Sequence, residues 1–168
     1  MSEGPTVFYL EMLDHSALQP SAAVDGFELR RVAPADAQFN RRYYEQVGGD
    51  WNWIDRLSWS DMDWQAHVER EELTTFLATH HGEEAGYVEL EQQPEGNVQI
   101  GYFGLLPDHY GKGLGGAMLT QIVETAWELP GTERVWVHTC TDDHEAALAN
   151  YQKRGFVLYE TKNPQDAD

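Results

Sequence analysis

The segment that most constrains the fold is a strand-like run, NVQIGYFGLLP (97–107), followed closely by Tyr110-Gly-Lys-Gly-Leu-Gly-Gly (110–116) and then a helical period. Leu114, Ala117, Met118, Ile122 and Trp127 recur at helical spacing through 111–129, and Pro130-Gly131 stops the pattern. RVWVHTC (134–140), HEAALANYQKRG (144–155) and FVLYETK (156–162) continue as strand, helix and strand. Strand, helix, strand in that order indicates a crossover, which sets 97–107 and 134–140 parallel in one sheet. Upstream, LTTFLATH (73–80) and AGYVELE (85–91) are joined by His81-Gly82-Glu83, and Pro94-Glu95-Gly96 leads into 97–107. The expected fold is a single α/β domain with a mixed sheet: an antiparallel meander, then a βαβ crossover around the glycine-rich loop.

Nearer the N-terminus, VFYLEML (7–13) has strand character and FELRRVA (27–33) reads as a half-buried strand. Pro34-Ala-Asp opens a helix carrying Phe39, Tyr43 and Tyr44 and closing at Gly48-Gly49. Ser60 and Asp63 form a capping-box pattern for a helix through roughly Glu71. We assign 1–26 as an N-terminal extension with a possible strand and 27–168 as the domain.

A chain of 168 residues, 41% hydrophobic, is enough for one core. The 29 Asp and Glu against 11 Lys and Arg leave a charge of −18, which repels nucleic acid and anionic membrane and attracts cationic partners. The alternative is an acidic surface serving solubility or a salty cytoplasm. One cysteine, Cys140, allows no intrachain disulfide. No apolar run reaches the ~18 residues of a membrane helix, and no basic start marks a leader, so a cytoplasmic protein is expected, monomer or homodimer.

Glycines at a helix start let backbone amides converge where the dipole favours an anion. A nucleoside-triphosphate loop is excluded because Gly113, not Ser or Thr, follows Lys112. Gly111, Gly113 and Gly116 fit a dinucleotide fingerprint, but Leu106 to Tyr110 separate them from the strand and too little chain follows for further βα units. The run LLPDHYGKGLGGAML resembles motif A of the GNAT N-acyltransferases, with Gly113 and Gly115 in its two small positions. AALANYQKRGFVLYE is similar to motif B, with Ala147, Tyr151, Gly155 and Phe156 in place. The resemblance covers about residues 27–160.

That resemblance implies acetyl-coenzyme A as donor, its pyrophosphate on the amides of Tyr110, Gly111, Lys112, Gly113, Leu114, Gly115 and Gly116, and its pantetheine along Leu105 and Leu106. Tyr110 replaces the usual Arg or Gln, and His144 stands where Asn is common. Tyr151 is placed as the acid for the departing thiolate, a backbone N–H near Leu105 as oxyanion donor, and the stretch between the first two helices at the acceptor. There, Trp51, Trp53, Trp59 and Trp64 alternate with Asp50, Asp55, Asp61 and Asp63, a composition suited to an organic cation. Trp51, Trp53, Asp55, Tyr102 and His138 are the acceptor-side candidates, for a small or amino-acid-like amine.

Direct transfer needs a base, since an alkyl ammonium is protonated at neutral pH. Gln99 occupies the strand position where some family members have a glutamate, so Glu89 is the candidate, although Glu89 and Glu91 share a strand face expected to be solvated or cleft-facing. A covalent route through Cys140 beside His138 lacks an orienting third group, and no zinc-type ligand spacing appears, so no metal is expected. The alternative function is a coenzyme A-binding module without turnover.

Overall fold

The computed structural model describes residues 5–48, 56–110, 112–141 and 147–163. In chain order these form β1 (Val7–Met12), β2 (Phe27–Arg31), α1 (Ala37–Gly48), α2 (Asp61–Val68), β3 (Leu73–His80), β4 (Glu83–Gln93), β5 (Asn97–Leu105), α3 (Leu114–Glu128), β6 (Arg134–Cys140), α4 (Ala147–Lys153) and β7 (Val157–Lys162). The strands make one sheet in the order β2-β3-β4-β5-β6-β1-β7. β3 to β5 are the expected antiparallel meander, β2 extends it antiparallel to β3, and β5 pairs with β6 in parallel, as a helical crossover requires.

Local chemistry sets the helix ends. Asp36 Oδ1 accepts from the Gln38 and Phe39 amides at the start of α1. Ser60 and Asp63 bond reciprocally to each other's backbone N–H, completing the predicted capping box of α2. α2 stops at Val68 rather than near Glu71, because Glu69, Arg70, Glu71 and Glu72 are exposed and offer no apolar face to hold another turn. Gly155 ends the α4 turn at φ 109°, and a Cβ there would meet the Ala17 carbonyl oxygen at 2.2 Å. Only glycine fits both the dihedral and the gap.

The two faces of the sheet are covered differently. Leu10, Met12, Val88, Leu90, Val98, Ile100, Val135 and Val137 form the main core with α3 residues such as Leu114, Met118 and Ile122 and with Tyr151 of α4. On the opposite face α1 and α2 lie over the meander, where Tyr43, Tyr44, Val47, Trp64 and Val68 pack against Leu73, Tyr87 and Tyr102.

The segment assigned as an N-terminal extension contributes an interior strand. β1 lies between β6 and β7, antiparallel to both, with Leu10 opposite Val137 and Leu158. Leu10 is wholly buried. Leu10→Ala should therefore lower unfolding free energy by about 2–5 kcal/mol. Val157→Ala, at a 65% exposed edge position, should change it by less than about 0.5 kcal/mol. Denaturant titration of both variants checks the contrast.

Candidate active site

β5 and β6 part almost as soon as they meet. Their register runs from Asn97↔Arg134 to Gln99↔Trp136, and among the described residues no further pair forms. Beyond it, β5 is deflected by a bulge. Val88 faces Phe103 and Leu90 faces Ile100, so Gly101 and Tyr102 together oppose Glu89. A Cβ on Gly101 would come 3.3 Å from the Glu89 carbonyl oxygen, so a larger residue would press on the bulge. The result is an opening between the two strands, with Tyr102 on one arm and His138 on the other. Both lie on the sheet face away from α3.

On the α3 side, the chain leaves β5 through a 3-10 turn at Pro107–His109 and enters α3 through Gly113. Gly113 is the N-cap at φ 75°, with nothing within 4 Å of where a Cβ would sit. Among the described residues no side chain caps this terminus, so its first-turn amides meet the criterion for an anion seat. Lys112 and Gly113 are exposed, Gly115 and Gly116 half-buried, and Leu114 turns into the core. Gly116 answers a packing need: a Cβ there would press on Ser21 at 3.2 Å. Arg154, just after α4, is 7% exposed, and its Nη1 lies 3.9 Å from the same Cβ position. Sequence reasoning missed this second cation against the first turn of α3.

Tyr151 projects from α4 into the core at 5% exposure, its ring 6.1 Å from Phe103 and edge-on to Phe156 at 5.9 Å. Phe103 belongs to β5 beyond the parting, so Tyr151 lies beside the opening on the α3 side. Leu105 packs on the main core, while Leu106 joins Tyr43 and Tyr87 and donates its N–H to Ala85 at 2.7 Å. The Tyr110 amide donates to the Pro107 carbonyl. Gly111 and His144, and with them Trp51, Trp53 and Asp55, lie outside the described residues.

The acceptor-side expectations are corrected in two places. Glu89 is neither solvated nor cleft-facing: it is 1% exposed. Its carboxylate accepts a bidentate pair from Arg56 at 3.0 and 3.1 Å, His67 Nε2–H at 2.8 Å and Asn40 Nδ2–H at 3.1 Å. Because a carboxylate only accepts, His67 carries its proton on Nε2. Burial alone would raise this carboxyl's pKa. The His67 hydrogen bond and the attraction and hydrogen bonds of Arg56 outweigh it and hold the group at about 2.

The second correction concerns the aromatic cluster. Trp59, Trp64, Tyr44 and Tyr102 do form a cation box, but Arg56 fills it, with its guanidinium carbon 4.7, 5.3, 5.8 and 4.4 Å from the respective ring centroids. The Arg56 amide also donates to Tyr44 Oη at 2.9 Å. This part of the tryptophan-rich segment therefore holds a cation of the chain itself. The signal was present: Arg56 is the only Lys or Arg between Arg42 and Arg70.

Removing one partner of so buried a pair leaves the other uncompensated, so Arg56→Ala should cost about 3–5 kcal/mol of stability in a denaturant titration. The folded pKa of Glu89 is depressed below its ordinary 4.5, so its contribution is complete above pH 4.5 and lost as pH falls towards 2. Over that window Glu89→Gln should show a shallower fall in melting temperature than the unaltered chain.

Residues 36–156 match the Acetyltransferase (GNAT) family. Among curated proteins no significant match is found. Three solved structures show the fold. A GCN5-related N-acetyltransferase from Sphaerobacter thermophilus is 16% identical with a TM-score of 0.72 and covers 94% of this chain and 49% of its own. Another from Kribbella flavida is 18% identical with a TM-score of 0.65, covering 94% and 55%. An aminoglycoside acetyltransferase from an uncultured soil metagenomic sample, in complex with sisomicin, is 14% identical with a TM-score of 0.61, covering 77% and 88%. This chain thus spans about half the length of the first two. With the family matched over most of its length, this chain belongs to the GNAT acetyltransferases.

Proposed function

We propose that this protein moves an acetyl group from acetyl-coenzyme A to a primary amine of a small molecule by direct transfer. The observation that carries the reading is the early parting of β5 from β6, with an uncapped helix terminus on one side of the sheet and a half-open face on the other. The first-turn amides of α3 and Lys112 would hold the pyrophosphate, with Arg154 adding positive potential behind them. A backbone N–H of β5 near Leu105 would face the carbonyl oxygen as charge develops there. Tyr151 would donate its hydroxyl proton to the leaving thiolate.

With the donor on the α3 side, the acceptor amine reaches the opening from the opposite face. It must lose a proton before attack. Glu89 was the expected proton acceptor, but its oxygens already accept from Arg56, His67 and Asn40, and its low pKa makes it a poor base near neutral pH. In this reading the proton passes to water at the opening, and Glu89 serves as the fixed end of the Arg56 anchor. Among the described residues, no helix is long and apolar enough to cross a membrane.

Thiol release on mixing with acetyl-coenzyme A and an amine panel tests the assignment. Coenzyme A binding without thiol release would favour a binding module instead. Tyr151→Phe should lower kcat by about a hundredfold or more, the scale of a lost general acid, with the donor KM little changed. The −18 charge opposes a polyanionic donor and favours a cationic acceptor, so added salt should lower the donor KM and raise the acceptor KM.

A further inference from the structure

We infer that the aromatic surface made by Trp136, His138, Tyr9 and Tyr159 receives the ring-bearing body of the amine acceptor, an inference that rests on the transferase reading above. Along β6, Val135, Val137 and Thr139 are buried towards α3, so Trp136 and His138 project from the other face. Tyr9 of β1 pairs directly with His138, with ring centroids 5.8 Å apart. Trp136 lies 6.1 Å from His138, and Tyr159 of β7 lies 6.3 Å from Tyr9. These rings are tilted by 39° to 58° rather than stacked, so none fully covers its neighbour's face. α1 and α2 pack over β3 to β5, whereas His138 is exposed and Tyr159 is 42% exposed.

The surface is continuous with the opening. Trp136 stands at the last β5–β6 pair, His138 on β6 beyond it, and Tyr9 one strand spacing, about 5 Å, further out. An acceptor with its amine in the opening would lay its body across these rings.

Charge argues for a ring and against a second cation there. Arg134 already sits 5.7 Å from the Trp136 centroid and 5.1 Å from that of Tyr159, and Lys162 sits 5.1 Å from that of Tyr9. Arg56 fills the other aromatic box. Arg134, ion-paired with Glu11 at 2.8 Å, and Lys162, 4.0 Å from Glu160, already occupy the cation positions over the outer rings, which leaves an acceptor ammonium the inward end at the opening. The chemical class is therefore an amine on a short chain attached to a flat aromatic ring. The N-terminal strand supplies a specificity residue through Tyr9.

Isothermal titration of the coenzyme A-loaded protein with phenethylamine and n-butylamine tests this, alongside thiol release with the same amines. Phenethylamine should bind about tenfold more tightly, the scale of one or two good aromatic contacts. Tyr9→Ala should erase most of that difference. Tyr159→Ala, on the edge strand, should reduce it several-fold at an unchanged melting temperature, which separates lost ring contact from a fold defect. Equal affinities in the unaltered protein, or a ring preference that survives both substitutions, would overturn the inference. Thiol release without ring preference would overturn the inference alone. Ring-selective binding without any thiol release would overturn the transferase reading and leave the ring site standing.

Discussion

The parting of β5 from β6 after three parallel pairs is the constraint on which the rest of this structure depends. Where two neighbouring strands separate inside a sheet, the N–H and C=O groups of their facing edges are directed towards the opening between them. β6 is held on its far edge by β1, paired from Val7↔Cys140 to Met12↔Val135. β5 keeps β4, at the expense of a bulge opposite Glu89. The connection that follows β5 ends at Gly113, whose left-handed conformation starts α3. The proposed donor seat and acceptor face both adjoin this one feature of strand pairing.

A buried ion pair, Arg56–Glu89, holds the wall beside the opening. Its two hydrogen bonds, the four rings around the guanidinium and the His67 and Asn40 contacts draw α1, α2 and the segment between them onto β4 and β5. Such pairs contribute modestly to net stability against an apolar replacement, but they specify geometry because each donor has one acceptor that fits. Here the geometry fixed is that of Tyr102, whose ring is clamped between Arg56 and Tyr44 at the edge of the opening.

Much of this was legible in the sequence wherever the determinants are local. The turns at His81-Gly82 and Pro94-Glu95-Gly96, the Ser60–Asp63 cap and the αL glycine before Leu114 are written within a few residues, and each appears as expected. Non-local features were not legible. The placement of β1 between β6 and β7 joins segments more than 120 positions apart, as in the Glu11–Arg134 contact, and alternation in VFYLEML says nothing about partners. For Glu89, alternation gave the correct shared face with Glu91, but whether α1 and α2 cover that face depends on tertiary packing. Glu91 remains part exposed beside Arg70, while Glu89 is sealed. The tryptophan-rich segment was read by composition, which signals a cation box without saying whose cation fills it.

The acidic balance of the chain acquires a local structure. Arg42, Arg56, Arg134 and Lys162 lie on aromatic rings, and Arg154 is buried against the first turn of α3, whereas Lys112 stands exposed in the glycine-rich loop of a strongly negative molecule. In the proposed function, backbone amides rather than side-chain charge would do most of the anion binding. Amide chemical shifts recorded while coenzyme A is added test this most directly. The account predicts the largest changes at residues 103–106, 112–117 and around Tyr151. Changes confined to β2 and β3, or saturable binding that leaves the α3 terminus unmoved, would contradict it.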